Sequence, residues 1–101
     1  MNISNNISSI QAHQIMMNTS ANNVANVNTG GFIPLDTKIV GSENSLRAES
    51  RKQDDTGSKM SQTDLSKEVT TQIVTQDATA LNVTAIKTQD EMLGSLLDIK
   101  A

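Results

Sequence analysis

The stretch from Leu65 to Ile99 has no Pro, and no Gly before Gly94, so it reads as one uninterrupted helix. At about 100° per residue its apolar side chains do not form a single stripe. Leu65, Val69, Ile73, Ala80, Val83, Ile86, Leu93 and Leu97 share one side. Val74, Ala78, Leu81, Ala85, Met92, Leu96 and Ile99 share roughly the opposite side. Apolar surface gains by leaving water, so a helix apolar on two sides calls for cover on both. The rest of the chain must supply that cover, or other chains must.

The rest of the chain has little to offer. It has 101 residues, of which 36% are hydrophobic, and Phe32 is its single aromatic. Aromatic side chains carry the largest individual burials. Ordering a chain of this size costs on the order of 100–200 kcal/mol of conformational entropy. The expectation is a chain that stays partly flexible or borrows apolar surface from partners. The rival arrangement is a three-element bundle in which the middle segment covers the second face, but that middle is polar.

In the first segment Ile3, Ile7, Ile10, Met17, Ala21 and Val24 fall on 4-3 spacing, with Gln14 in the one missing slot. This predicts a helix over about 3–27, able to cover one face of the long helix and too short to cover it to the end. Thr29-Gly30-Gly31 is a stop signal, because Gly takes the left-handed conformation that closes a helix. Pro34 biases Ile33 to an extended shape. Phe32–Val40 and Ser45–Lys52 read as two short strands around a turn at Gly41–Asn44, and Gln53–Lys59 as a mobile polar connection. Ser61 or Thr63 can cap the last helix, with Asp64 and Glu68 near the positive end of its dipole. The division is therefore 1–28, an N-terminal core helix; 29–60, an extended or β-hairpin linker; and 61–101, a C-terminal core helix. The fold class is all-α, with the two helices forming a coiled-coil core.

No constellation for chemistry stands out. His13 is the single histidine and lies off the 4-3 seam. Asp54–Asp55 fall in the polar connection and Asp90–Glu91 on the long helix, without an apolar pocket to shift a pKa. There is no cysteine, hence no thiolate nucleophile and no Cys-based metal site. Gly30-Gly31 lacks the spacing of a phosphate loop. The net charge of −3 and the interleaving of Arg47, Arg51, Lys52 and Lys59 with acids argue against a nucleic-acid partner. No run approaches the roughly 18 apolar residues of a membrane span, and MNISNNISSIQAH lacks the basic and apolar regions of a cleavable secretion signal. The chain reads as a non-enzyme with no cofactor, no metal and no small-molecule substrate.

ANNVANVNTGGF, Ala21 to Phe32, is the unusual stretch, since Asn is a poor helix former. It resembles the rod motif of bacterial flagellar axial proteins, through Asn22, Asn23, Ala25, Asn26, Asn28, Thr29, Gly31 and Phe32. The other end is similar to that family's C-terminal helix, through Asp64, Leu65, Glu68, Ala80, Asn82, Ile86, Thr88, Asp90, Met92, Leu93 and Leu97. Only about thirty residues separate the two ends, where hook and distal-rod members carry large β domains.

The resemblance implies a structural subunit of the basal-body rod, a periplasm-spanning axial tube built from terminal helices. It implies export, unfolded, through the flagellar type III apparatus, with copies of itself and neighbouring rod and hook proteins as partners. The residues it places at subunit contacts are Ile7, Ile10, Met17, Asn22, Asn23, Asn26, Asn28, Gly31 and Phe32 at the N-terminal end. At the C-terminal end they are Leu65, Val69, Ile73, Leu81, Val83, Ile86, Met92, Leu93, Leu96 and Leu97. The Asn side chains are expected to bond across subunits, and Asn28 with Thr29 to cap helix-end carbonyls. The alternative is a cytoplasmic coiled-coil adaptor or flagellar export chaperone that binds one client through the two-faced helix.

Overall fold

The computed structural model describes residues 3–42 and 45–100. Two helices dominate it: α1, Ile3–Ala25, and α2, Leu65–Lys100. Between them lie β1, Leu35–Ser42, and β2, Ser45–Lys52, paired antiparallel from Leu35↔Lys52 to Ser42↔Ser45. The molecule measures 67 × 23 × 13 Å, so it is a slab one helix thick.

α1 ends where the sequence breaks its pattern. Val27 N–H bonds the carbonyl of Val24, Thr29 N–H that of Asn26, and Phe32 N–H that of Thr29. Gly31 completes the stop at φ +73°, in the left-handed region. The first strand begins later and runs further than the β-branched run suggests, while the second falls at Ser45–Lys52 as expected. Phe32, Ile33 and Pro34 precede β1, which continues through Gly41 and Ser42, while Glu43 and Asn44 of the expected turn lie outside the described residues. Leu46 and Ala48 on β2 are half-buried and alternate with exposed Arg47 and Glu49. Both strands pack on α1.

The connection expected to be mobile is held by hydrogen bonds. Gly31 N–H bonds the Lys59 carbonyl at 2.9 Å, and Gln62 N–H bonds the Phe32 carbonyl at 3.0 Å. Asp55 accepts from Gly57 N–H and Gln62 Nε2, both at 2.8 Å. Gln53 donates to the Pro34 carbonyl through its backbone and to Asp36 through its side chain. A composition poor in apolar residues concealed this, because the segment is fixed by amide and carboxylate pairing.

The cap of α2 is Asp64 and neither Ser61 nor Thr63: its Oδ1 accepts from Lys67 N–H at 3.3 Å. Thr63 instead donates its hydroxyl to the carbonyl of Asn23 at 3.0 Å. The two helices then run antiparallel, Asn23 meeting Glu68 at one end and Asn6 meeting Gln89 at the other. At ~1.5 Å per residue α2 outruns α1, and about its last two turns lie past the described part of α1.

Candidate subunit-packing faces and the polar seam between the helices

Among the described residues the buried positions are Asn6, Ser9, Ala12, Ser20, Asn23, Pro34, Glu68 and Thr75. Ala12 and Pro34 are the apolar members of that set, so the interior of the helix pair is polar. On α1 the inward line is Asn6, Ser9, His13, Met16, Ser20 and Asn23, a strict 3-4 alternation. It is the apolar seam of Ile7, Ile10, Gln14, Met17, Ala21 and Val24 displaced by one residue, a rotation of about 100°. On α2 every residue that is not exposed belongs to Glu68, Thr71, Gln72, Thr75, Ala78, Thr79, Asn82, Ala85, Ile86 and Gln89, again a heptad line.

The expectation that α1 would cover one apolar face of α2 is therefore corrected. α1 sits on a third, polar face between the two. Leu65, Val69, Ile73, Val83, Leu93 and Leu97 on one side stay exposed, as do Val74, Leu81, Met92, Leu96 and Ile99 on the other. Ile86, Ala78 and Ala85 alone reach the edge of the seam. Ile3 and Ile7 on α1 are exposed too.

The seam is stitched by side-chain hydrogen bonds. Asn6 Nδ2 donates to Gln89 Oε1 at 3.4 Å, and Asn82 Nδ2 to Ser9 Oγ at 2.9 Å. Ser20 Oγ accepts from Gln72 Nε2 and donates to the Glu68 carbonyl, both at 3.2 Å. His13 is half-buried, and its Nδ1 lies 2.7 Å from the Ser9 carbonyl. A carbonyl can only accept, so Nδ1 carries the proton. The buried hydroxyl of Thr75 has no hydrogen-bond partner among the described residues.

Asn23, 2% exposed, joins three elements. Its Nδ2 donates to the Leu35 carbonyl at 2.8 Å and to Glu68 Oε1 at 3.0 Å, while its Oδ1 accepts from Leu35 N–H at 3.1 Å. One amide thus pairs both backbone groups of Leu35 and also supplies a donor to a buried carboxylate. Next to it Asp36 Oδ1 accepts from Lys67 Nζ at 2.6 Å and from Gln53 Nε2 at 2.8 Å. Burial alone would raise the Asp36 pKa; the bonds from Lys67 and Gln53, with the charges of Lys67 and Arg51, outweigh it and leave the carboxyl below its ordinary value.

The other Asn residues divide by position. Asn26 Nδ2 caps the Asn22 carbonyl at 2.9 Å and also reaches Asn22 Oδ1, and Thr29 Oγ1 donates to Asn26 Oδ1 at 3.0 Å. Helix-end capping thus falls to Asn26, and Asn23, expected at a subunit contact, is enclosed within its own chain. Asn22 and Asn28 are exposed, as is Gly31, while Phe32 is half-buried. Sequence reasoning missed Ser9, Ser20, Glu68, Gln72, Thr75 and Gln89 as seam residues; the signal was there as heptad spacing of small and amide side chains.

No group of three or more His, Cys, Asp or Glu able to hold a metal occurs among the described residues, nor does a helix long and apolar enough to cross a membrane. Two long helices are joined through a polar seam, with apolar faces turned outward. Residues 58–99 match the family model described as Flagellar basal body rod FlgEFG protein C-terminal. Through that match the C-terminal part of the chain is similar to the flagellar basal body rod proteins. The match covers α2 and its approach; the Asn-rich motif at 21–32 lies outside it. No curated protein matches the chain.

Proposed function

We propose that this chain is a subunit of the basal-body rod that polymerises through the outward faces of its terminal helices. The observation that carries the reading is the inversion on α2: its polar line is buried against α1, and both apolar faces remain in water. Side chains such as Leu81, Leu93 and Leu97, 55–71% exposed, each stand to gain about 1–2 kcal/mol on full burial. Two different faces meeting two different neighbours make a heterologous contact, which propagates as an open helical tube. The exposed Ile3, Ile7, Asn22, Asn28 and Gly31 and the half-buried Ile10, Met17 and Phe32 add to that surface from α1 and its end.

A coiled-coil assembly of this kind needs copies of the same chain and adjoining rod or hook proteins. A lone subunit with a polar seam and so small a core opens at low cost, which suits passage through the type III export apparatus in an unfolded form. Ordering would then be completed by mass action at the growing tip. The test is substitution on the unpaired end of α2. Leu93→Asp and Leu97→Asp lie past Gln89, the last seam residue, and leave the isolated chain's helicity unchanged, yet they abolish motility. Normal swimming by either variant would refute assembly through this face.

A further inference from the structure

We propose that the buried polar ladder is the specificity element of the helix pair: it dictates that α1 pairs with α2 of its own chain, antiparallel and in one register. Both helices carry apolar lines that would bury more greasy surface if they faced each other. The pair nevertheless closes on the polar line one residue away, and that line is complementary toward both of its ends, with the buried Thr75 hydroxyl unpaired among the described residues between them. Amides on one helix meet hydroxyls or amides on the other at Asn6–Gln89, Ser9–Asn82 and Ser20–Gln72, and the Glu68 carboxylate meets the Asn23 amide.

A slip exposes the logic. Moving α2 by one heptad brings Glu68, 4% exposed here, opposite Met16 in place of Asn23. A buried carboxylate without a donor is heavily penalised. Apolar seams tolerate such slips, because any Leu or Ile accepts another; one buried amide in a heptad seam is enough to select register and partner. The ladder therefore acts by excluding alternatives, and it keeps the apolar lines out of the intrachain contact.

The test uses the full-length chain in solution, which has no native cysteine to interfere. Nitroxide labels go on Gln14→Cys and Gln76→Cys, two exposed positions bordering one groove between the helices. Pulsed electron–electron resonance reads the distances, with excess unlabelled chain to remove contributions between molecules. The native ladder gives one narrow intramolecular distance. A Leu ladder that removes every rung (Asn6→Leu, Ser9→Leu, Ser20→Leu, Asn23→Leu, Glu68→Leu, Gln72→Leu, Asn82→Leu and Gln89→Leu) adds a second distance that reports an axial slip of about 10 Å, one heptad of rise, or distances between molecules that vanish on dilution. The exchange variant Ser9→Asn with Asn82→Ser, which keeps a hydroxyl–amide pair, retains the single distance. A Leu ladder that keeps the single narrow distance overturns the proposal. So does loss of that distance in the exchange variant, or its absence with the native ladder. None of these readings involves the flagellum, so they fail or succeed separately from the rod assignment.

Discussion

Replacing Asn23 with Ala removes the one side chain that joins α1, β1 and α2. Three hydrogen bonds go with it, at 2.8, 3.0 and 3.1 Å, one of them to a carboxylate. A neutral hydrogen bond contributes about 0.5–1.5 kcal/mol net and one to a charged group about 1.5–3. Leu35 is 41% exposed, so water can take up part of its backbone bonding, whereas the Glu68 carboxylate at 4% exposure has no such recourse. The expected loss is about 2–4 kcal/mol. For a domain near 100 residues this lowers the melting midpoint by about 10–30 °C. Circular dichroism follows the midpoint, and hydrogen exchange at the Leu35 amide reports the clamp itself. The variant should lose Leu35 protection even below its melting range. A midpoint within about 3 °C of the native chain, with Leu35 protection unchanged, would refute the account of Asn23 as the junction.

Two further outcomes follow from local geometry. Asp36 has a folded pKa below its unfolded value, so its contribution is complete above the unfolded pKa and is lost as pH falls through the lower folded one. The Lys67 bridge is about half in solvent, which limits that contribution to at most ~1 kcal/mol; Asp36→Asn should flatten the acid limb of a stability–pH curve by that amount, and an unaltered acid limb would contradict it. Gly31→Ala meets no atom within 4 Å but must hold φ +73°, so a loss of about 1–2 kcal/mol in denaturant unfolding is expected from the backbone alone; a neutral result would show that the chain relaxes there.

The helices were legible because their signals are local. A Gly- and Pro-free run sets α2, and the Thr29–Gly31 stop with its left-handed glycine closes α1. The strands were legible in part: β-branched residues marked the first, but it starts after Pro34, where the ring no longer removes a needed donor. The helix–helix contact was not legible from apolar periodicity, because burial here follows the partner and not hydrophobicity. Reading Ile7, Ile10 and Met17 as the inward line placed the contact one residue away from Asn6, Ser9 and Met16. The same habit left Glu68 as a dipole residue, when its carboxylate is buried against Asn23. The ordered loop at Gln53–Gln62 was hidden for a related reason, since Asp55 and Gln62 pair across seven positions and leave no periodic trace.

The central claim is that this chain is an axial subunit. The most direct measurement is its copy number in purified hook–basal bodies stripped of filament, by quantitative immunoblot against a known rod component. The account predicts a fixed, stoichiometric number of copies retained with the rod. A chain absent from the particle and recovered free in the cytoplasm would contradict it and point to the adaptor or chaperone alternative.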